Sequence, residues 1–273
     1  MTRAAALSAL RGESTGLVVG VSWVPISTLP ALARSLSLDF AFVPAEQPGA
    51  SGLVAELHAL DTAAVWAVSG VFGRVAELLG WSEALRLTAG EPGALAALLA
   101  EALHAALESA RAGIAAGADV VLVADDLAGA AGLLVSPDFA LDALLPCYRA
   151  IAAEALGRGV LAAFHSDGDV RAFMPSLARA GFSAVHIAGI APNDLGASID
   201  AARASGMVAL GGLVAASLSA DPAAAGRLAG REAFARGLVV CDDGGLATPD
   251  DVADYGGAMR AARAAFTESS ELG

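Results

Sequence analysis

The most informative stretch of the chain reads Val160-Leu161-Ala162-Ala163-Phe164-His165-Ser166-Asp167-Gly168-Asp169. Its first half is a short apolar run, which is typical of a buried β-strand. Its second half places an imidazole, a hydroxyl and two carboxylates directly after that strand. Because alternate strand residues point to the same side, we expect His165 and Asp167 to face one common space.

Seven further apolar runs have the same character, and a helical pattern separates most of them. Strands that are apolar on both faces are parallel and covered on both sides. The sequence therefore predicts an α/β fold, a (β/α)8 TIM barrel that forms a single domain over residues 1–273, with an N-terminal extension at 1–16 and a tail at 267–273. A doubly wound sheet would need a Gly-rich turn after the first strand, and Ser22-Trp23-Val24-Pro25 is not one. The eight runs are Leu17–Val21, Asp39–Val43, Ala63–Val68, Asp119–Ala124, Val160–Phe164, Ser183–Ala188, Met207–Leu210 and Leu238–Val240.

Composition excludes several classes of function. The formal net charge is −13, which disfavours nucleic acid and anionic membrane surfaces as partners. All 16 basic residues are arginine, so a lysine Schiff base to a carbonyl substrate or to PLP cannot form. The two cysteines, Cys147 and Cys241, have no paired spacing, which favours a reducing cytoplasm over a disulfide framework. Charged residues recur at helical spacing along 94–116, so we expect a solvated helix face there and not a membrane span.

In a barrel of this kind the active site lies at the carboxyl ends of the strands. His165 and Asp167 are candidate catalytic residues, as general acid and base or as metal ligands. In the alternative reading, Ser166–Asp169 is a turn whose carboxylates cap a helix at 170–180. The whole predicted ring contains Trp23, Glu46, Ser69, Asp125, Asp126, His165, Asp167, Cys241, Asp242 and Asp243.

The other ring positions leave alternatives open. Asp125 and Asp126 form either an acid/base pair, with at most one of them facing the cavity, or a solvated loop. Judged by its local sequence, Glu46 is a loop carboxylate. Candidates for substrate binding are Trp23, Ser69, Asp125 and Gly212.

The last strand ends in Cys241-Asp242-Asp243-Gly244-Gly245, which has three interpretations. With His165, the first residues could complete a metal site. The pairs Gly211-Gly212 and Gly244-Gly245 could instead form a phosphate site, which the acidic residues disfavour, or they are plain turns. His186 lies inside a strand and is predicted to be a satisfied core histidine. Cys147 is predicted to be buried and inert.

Several short motifs follow one another in a fixed order along the chain. They are Gly117-Ala118-Asp119, Asp125-Asp126-Leu127-Ala128-Gly129, Ser136-Pro137-Asp138-Phe139, Leu145-Pro146-Cys147-Tyr148, His165-Ser166-Asp167-Gly168-Asp169, Ala180-Gly181-Phe182-Ser183-Ala184 and Thr248-Pro249. This order of motifs resembles the uroporphyrinogen decarboxylase superfamily, which includes methyltransferases that act on corrinoid proteins or coenzyme M. The resemblance spans roughly residues 30–265 and implies a (β/α)8 barrel with its site at the strand tips.

The chain departs from both branches of that superfamily. The decarboxylases have an arginine-rich N-terminal segment, whereas Gly16–Pro25 contains no arginine. Their catalytic aspartate follows the second strand, and that position falls on Glu46. The zinc methyltransferases have a His-x-Cys motif and a late cysteine. Here His165 matches the histidine, Asp167 stands at the first cysteine, and the late ligand falls near Asp242, next to Cys241.

The resemblance implies a cytoplasmic methyltransferase that moves a methyl group between a small methylated substrate and a corrinoid (cobalamin) protein. His165, Asp167 and Asp242 or Cys241 would bind a divalent metal such as zinc or polarise the substrate, with Glu46 and Asp126 as acid/base candidates. A homo-oligomer is a further expectation. The alternatives are a decarboxylase of a tetrapyrrole or a smaller acid, and a non-catalytic tetrapyrrole or corrinoid binder.

Overall fold

The computed structural model describes residues 2–13, 16–189 and 194–272. Eight parallel strands form one sheet in the order β1-β2-β3-β4-β7-β8-β9-β10, and β5 and β6 form a separate small hairpin. The strands are β1 Gly20–Val21, β2 Phe40–Pro44, β3 Ala63–Ser69, β4 Val120–Ala124, β5 Ala128–Gly129, β6 Gly132–Leu133, β7 Leu161–Asp167, β8 Ala184–Ala188, β9 Val208–Leu213 and β10 Val239–Asp242.

The sheet closes on itself where the first and last strands meet. Val19 bridges Val240 in parallel orientation, and the Val240 amide donates to the Val18 carbonyl over 2.9 Å. This contact makes the sheet a nearly closed barrel, so the prediction of a single-domain (β/α)8 TIM barrel is confirmed.

Helices surround the barrel, and their ends follow local sequence signals. The Ser136 hydroxyl accepts from the Phe139 amide, with Pro137 in the first turn, as a helix N-terminus requires. The helices are α1 Arg3–Leu10, α2 Leu29–Leu36, α3 Ala50–Ala59, α4 Val71–Leu79, α5 Trp81–Gly90, α6 Ala96–Ala116, α7 Pro137–Phe139, α8 Leu145–Leu156, α9 Met174–Ala180, α10 Leu195–Ala204, α11 Ala215–Ala220, α12 Pro222–Arg236 and α13 Pro249–Leu272, with a π-turn at Ala140–Leu144.

Both predicted end segments contain helical structure that the sequence pattern did not assign. Helix α1 buries Ala6, Ala9 and Leu10 against the residues that fill the barrel interior. Helix α13 continues to Leu272, through the stretch expected to be a tail. Of these two segments, positions 1, 14, 15 and 273 lie outside the described residues.

The predicted cap of α9 differs from the structure. Helix α9 begins at Met174, and Asp169 does not reach its first turn. The Asp169 carboxylate instead accepts hydrogen bonds from the Arg171 amide and guanidinium, over 2.6–3.1 Å. The arginine two residues later therefore holds this carboxylate away from the helix end. Gly181 closes α9 in the left-handed conformation, as expected.

Within the described part of the chain, one helical stretch, Pro92–Ala116, has the length and apolar composition of a membrane span. Its buried positions include Ala102, Ala106 and Ala110, which recur every four residues on one face. The charged residues that the sequence placed on the opposite face, Glu101, His104, Glu108 and Arg111, are all exposed. The stretch is therefore an amphipathic helix whose small residues pack against the barrel.

Candidate functional site

Strand alternation selects which polar residues reach the barrel mouth. On β7, Ala163 belongs to the cluster that fills the barrel interior, so His165 and Asp167 lie on the same side of the strand. On the neighbouring β4, Ala124 packs against the same interior cluster, and Asp126 lies two residues further on. The structure therefore brings His165, Asp167 and Asp126 together at the carboxyl end of the barrel.

These three side chains form the central cluster of the site. The His165 Nε2 atom lies 3.5 Å from Asp126 Oδ1 and 4.0 Å from Asp167 Oδ1. The Asp167 amide donates to Asp126 Oδ1 over 3.0 Å and fixes that carboxylate. The His165 side chain is only 8% exposed, against 49% for Asp126 and 56% for Asp167. A buried imidazole thus lies beneath two carboxylates that solvent or a ligand can reach.

His186 supports His165 from below. The pairing of β7 with β8 places the two histidines in register, and their rings stack with centroids 4.9 Å apart. The Nδ1 atoms are 2.8 Å apart, and His186 Nε2 lies 2.8 Å from the Asp242 carbonyl oxygen. Burial lowers the pKa of His186 to about 3, so this imidazole is neutral. As the sequence predicted, His186 is a buried histidine with its hydrogen bonds satisfied.

The carboxylates of the site differ in acidity. The contact with His165 lowers the pKa of Asp126, whereas burial and the neighbouring Asp126 charge raise the pKa of Asp167. Asp243 also approaches the cluster and accepts from the Ala215 amide over 2.8 Å. Burial raises the pKa of Asp243. Carboxylates whose pKa values differ in this way can take different roles, one as an ionised ligand and another as a proton carrier.

Trp23 forms one wall of the barrel mouth. Its ring meets the His165 ring edge to face, with centroids 5.8 Å apart, and it packs in the same manner against Phe42. Two open cavities of about 740 and 300 Å³ share Trp23, Pro44 and Gln47 in their linings. Trp23 therefore lies where a bound molecule would contact an aromatic surface next to the central cluster.

Glu46 and Ser69 lie together on the wall of the smaller cavity. The Ser69 hydroxyl donates to Glu46 Oε1 over 2.9 Å, and Arg74 NH1 donates to the same oxygen over 3.2 Å. Sequence reasoning missed Arg74. The sequence around Arg74 gave little indication of a role, because an arginine near the start of a helix usually lies on the solvent-exposed face.

The structure does not bring Asp125 to the cavity. Asp125 points outward, where it accepts from the Phe72 and Gly73 amides at 2.8 and 2.7 Å and from the Tyr148 hydroxyl at 2.7 Å. It therefore caps the N-terminus of α4 from a neighbouring strand. Burial raises the pKa of Asp125 to about 6, an effect that these hydrogen bonds counteract. Only Asp126 of the predicted pair faces the site, which is the outcome that strand alternation requires.

Two of the predicted metal ligands lie outside the central cluster. Both Asp242 carboxylate oxygens are engaged, by the Ser22 amide and hydroxyl and by the Gly245 amide. Cys241 is fully buried in the barrel interior, and burial raises the pKa of its thiol well above its usual value. Asp242 thus ties the last strand to the first, and the Cys241 side chain fills space within the barrel.

The glycine pairs have steric explanations. Gly211 and Gly212 lie inside β9, and both have positive φ. A Cβ on Gly212 would lie 2.6 Å from a Leu238 methyl group and 3.6 Å from the Ala229 Cβ on α12, so a side chain here would face the helix layer and not the barrel mouth. Gly245 also has positive φ, and a Cβ there would lie 2.5 Å from the Trp23 carbonyl oxygen. Gly244 and Gly245 line the larger cavity next to Trp23.

The donor set of the central cluster fits a divalent cation. Within the described residues, Asp126, His165 and Asp167 offer one ligand atom each, all within 4.8 Å of one another. Ligands about 2.1 Å from a tetrahedral metal lie about 3.4 Å apart, close to the His165–Asp126 separation. One nitrogen and two oxygens suit a borderline or hard ion, such as zinc or manganese, better than a thiolate-seeking one. Asp126 here takes the place that the sequence gave to Asp242 or Cys241.

Comparisons with known proteins agree with this architecture. A methyltransferase from Methanosarcina mazei is 17% identical, with a TM-score of 0.71 over 97% of this chain and 98% of that one. Tryptophan synthase from M. tuberculosis is 14% identical, with a TM-score of 0.53 over 96% of this chain and 99% of that one. A 3-hexulose-6-phosphate synthase is 14% identical, with a TM-score of 0.51 over 90% of this chain and 98% of that one. At these identities the structural matches show the fold alone.

Sequence comparison gives the family. No curated protein matches the chain significantly. The family model described as uroporphyrinogen decarboxylase (URO-D) matches residues 55–227, which is more than half of the 273-residue chain and includes Asp126, His165 and Asp167. The chain therefore belongs to the uroporphyrinogen decarboxylase family.

Proposed function

We propose that this protein is a methyltransferase that moves a methyl group between a small methylated substrate and a corrinoid carried by a partner protein. The observation that carries the proposal is the cluster of Asp126, His165 and Asp167 at the strand tips of a URO-D family barrel. Further support comes from a structural neighbour described as a methyltransferase, which aligns over nearly the whole chain. We also propose a cytoplasmic location, which the unpaired spacing of Cys147 and Cys241 supports.

The three cluster residues would hold a divalent cation and orient the methyl-bearing group of the substrate. Such a cation would supply Lewis-acid chemistry, which stabilises negative charge on the atom that gains or loses the methyl group. In the cation-free cluster the raised pKa of Asp167 suits it to carry a proton, whereas a bound cation would hold the same carboxylate ionised as a ligand. Asp126, whose pKa is lowered, stays an anionic ligand.

In this proposal, the substrate and the corrinoid bind against Trp23 at the barrel mouth. Trp23 borders both cavities of the barrel mouth and touches the His165 ring. The larger cavity, of about 740 Å³, falls in the size range of small-molecule sites. A planar, largely apolar macrocycle would cover the mouth and meet Trp23, with the methyl group directed at the central cluster.

A spectrophotometric assay tests the proposal. The purified protein is loaded with zinc or manganese and mixed with methylcobalamin and a panel of thiol, hydroxyl and amine acceptors. We expect a time-dependent change in the corrinoid spectrum with at least one acceptor class, together with formation of the methylated acceptor. Tight cobalamin binding without turnover of any acceptor would instead favour a non-catalytic corrinoid binder.

A decarboxylase is the second candidate, because the matched family model carries that name and Glu46 lies at a cavity wall with Ser69. The carboxylates of Asp126, Asp167 and Asp243 oppose it for substrates with many carboxylates, since like charges repel at close range. Release of carbon dioxide from uroporphyrinogen or from a smaller acid, and its loss in Glu46→Gln, would favour this candidate over methyl transfer.

A further inference from the structure

The hydrogen-bond chain below the central cluster has a fixed direction. It runs from the Asp242 carbonyl oxygen to His186 Nε2, and from His186 Nδ1 to His165 Nδ1, with both separations 2.8 Å. A backbone carbonyl only accepts hydrogen bonds, so His186 Nε2 must carry a proton. The His186 side chain is fully buried, and its ring nitrogens contact a carbonyl oxygen and a second imidazole, neither of which supplies a negative charge. A buried cation without a counter-charge is strongly disfavoured, so His186 Nδ1 keeps its lone pair and accepts.

That direction determines the state of His165. Its Nδ1 must donate to His186, and in the neutral ring the lone pair is then on Nε2. Nε2 is the atom that faces Asp126 and Asp167, at 3.5 and 4.0 Å. With ionised carboxylates, every group that converges there is an acceptor. Such an arrangement is stable only with a cation between the groups, either a proton on Nε2 or a metal ion.

We propose that His186 is a positioning residue that holds His165 in its Nδ1–H tautomer and directs the Nε2 lone pair to a divalent cation shared with Asp126 and Asp167. Histidine ligands of metals are generally oriented by a hydrogen-bond acceptor on their other ring nitrogen. Here a second histidine fills that role, and it is itself oriented by a main-chain carbonyl. The inference rests on the cation site of the proposed function, but its first test needs no turnover.

The tautomer can be measured directly in the metal-free protein. Histidine is labelled with 15N, and two-bond proton–nitrogen spectra are recorded at pH 8, where imidazoles of ordinary acidity are neutral. Comparison with His165→Gln identifies the His165 signals. We expect a protonated Nδ1 on His165, and a bare Nδ1 with a protonated Nε2 on His186. A bare Nδ1 on His165 would overturn the proposal.

Measurements of Zn²⁺ binding test whether the hydrogen bond from His165 to His186 strengthens the cation site. Zn²⁺ is titrated calorimetrically into the wild-type protein, His186→Asn and His186→Leu. The asparagine oxygen occupies nearly the position of Nδ1 and can still accept from His165, whereas leucine of similar size cannot. We expect His186→Leu to weaken Zn²⁺ binding about tenfold or more, and His186→Asn to stay within about threefold. Equal affinity in all three proteins would contradict the proposed role.

The outcomes separate this inference from the proposed function. An Nδ1–H tautomer and weakened Zn²⁺ binding in His186→Leu, without methyl transfer to any acceptor, would uphold the role of His186 and refute the methyltransferase. Methyl transfer by a protein whose His165 lacks a proton on Nδ1 would uphold the methyltransferase and refute the role of His186. If His186→Leu fails to fold, the wild-type spectrum still decides the tautomer.

Discussion

The pair of stacked histidines shows how a strand register becomes chemistry at the scale of single residues. β7 and β8 align His165 with His186, and alternation turns both rings toward the barrel interior. Their depths differ, because His186 is fully buried while the His165 side chain keeps 8% of its surface exposed next to Asp126 and Asp167. One imidazole can therefore act as a fixed support and the other as a ligand or base.

Burial of the neutral His186 should make stability depend on pH. Its pKa is about 3 in the folded protein and about 6.5 when unfolded, so below pH 6.5 the unfolded chain binds the extra proton. The free energy of unfolding should then fall with decreasing pH, by at most about 1.4 kcal/mol per unit. Urea unfolding between pH 7 and pH 4 should show a shallower fall in His186→Asn. Parallel curves for the two proteins would refute a neutral, buried His186.

Asp125 makes a purely structural prediction. Asp125→Ala leaves the Phe72 and Gly73 amides and the Tyr148 hydroxyl without their acceptor. We expect the free energy of unfolding to drop by about 3 kcal/mol in urea denaturation, because buried donors lose their partner and α4 loses its cap. Asp125→Asn keeps one oxygen and should cost less. A loss below about 1 kcal/mol for the alanine variant would show that Asp125 is not a cap.

At the residue scale, the sequence predicted the positions of some side chains correctly and the positions of others incorrectly. His165, Asp167 and Asp126 follow apolar runs, so strand alternation was enough to bring them together. Asp242 and Cys241 follow an equally clear run, but their hydrogen bonds and depth depend on how β10 meets β1, which no local pattern encodes. Arg74 lacked a distinctive pattern for the same reason, since its partner Glu46 comes from a distant loop.

At the scale of elements, the hairpin β5–β6 holds the loop that follows Asp167, the last residue of β7. The Asp169 amide donates to the Gly129 carbonyl over 2.9 Å, and a Cβ on Gly168 would lie 2.6 Å from the Ala128 carbonyl oxygen. Only glycine permits this approach, which is combined with a positive φ of 77°. The sequence predicted the eight barrel strands but not this hairpin, because its Ala-Gly and Gly-Leu strands lack the β-branched residues that marked the barrel strands.

Helices α12 and α13 pack unusually closely. A Cβ on Gly230 would lie 2.3 Å from the Ala262 carbonyl oxygen, so Gly230→Ala must push the two helices apart. We expect thermal unfolding to show a loss of about 2 kcal/mol. Gly257→Ala is the matched control, because its Cβ would find Pro222 at a comfortable 3.8 Å. That substitution should gain up to about 1 kcal/mol from helix propensity, and equal effects at both glycines would contradict this packing.

At the scale of the whole molecule, closure of the barrel positions the site. The loop after β10 is tied to the loop after β1, since Asp242 binds Ser22 and the Leu246 amide donates to the Trp23 carbonyl over 2.8 Å. These contacts set Trp23 across from His165. The alternation of strands and helices was enough to predict a barrel. The reaction depends on side-chain geometry at the barrel mouth, which local sequence patterns do not encode. The sequence therefore predicted the fold more completely than the reaction.

We propose that Asp126, His165 and Asp167 carry out methyl transfer at the strand tips. The most direct test measures methyl transfer from methylcobalamin by metal-loaded wild-type protein, His165→Ala and His104→Ala, the last an exposed histidine on α6 that is remote from the site. We predict that His165→Ala loses at least about a hundredfold in rate, as removal of a metal ligand or general base does, whereas His104→Ala keeps the wild-type rate. Equal rates in all three proteins, or no methyl transfer by the wild type, would contradict the account.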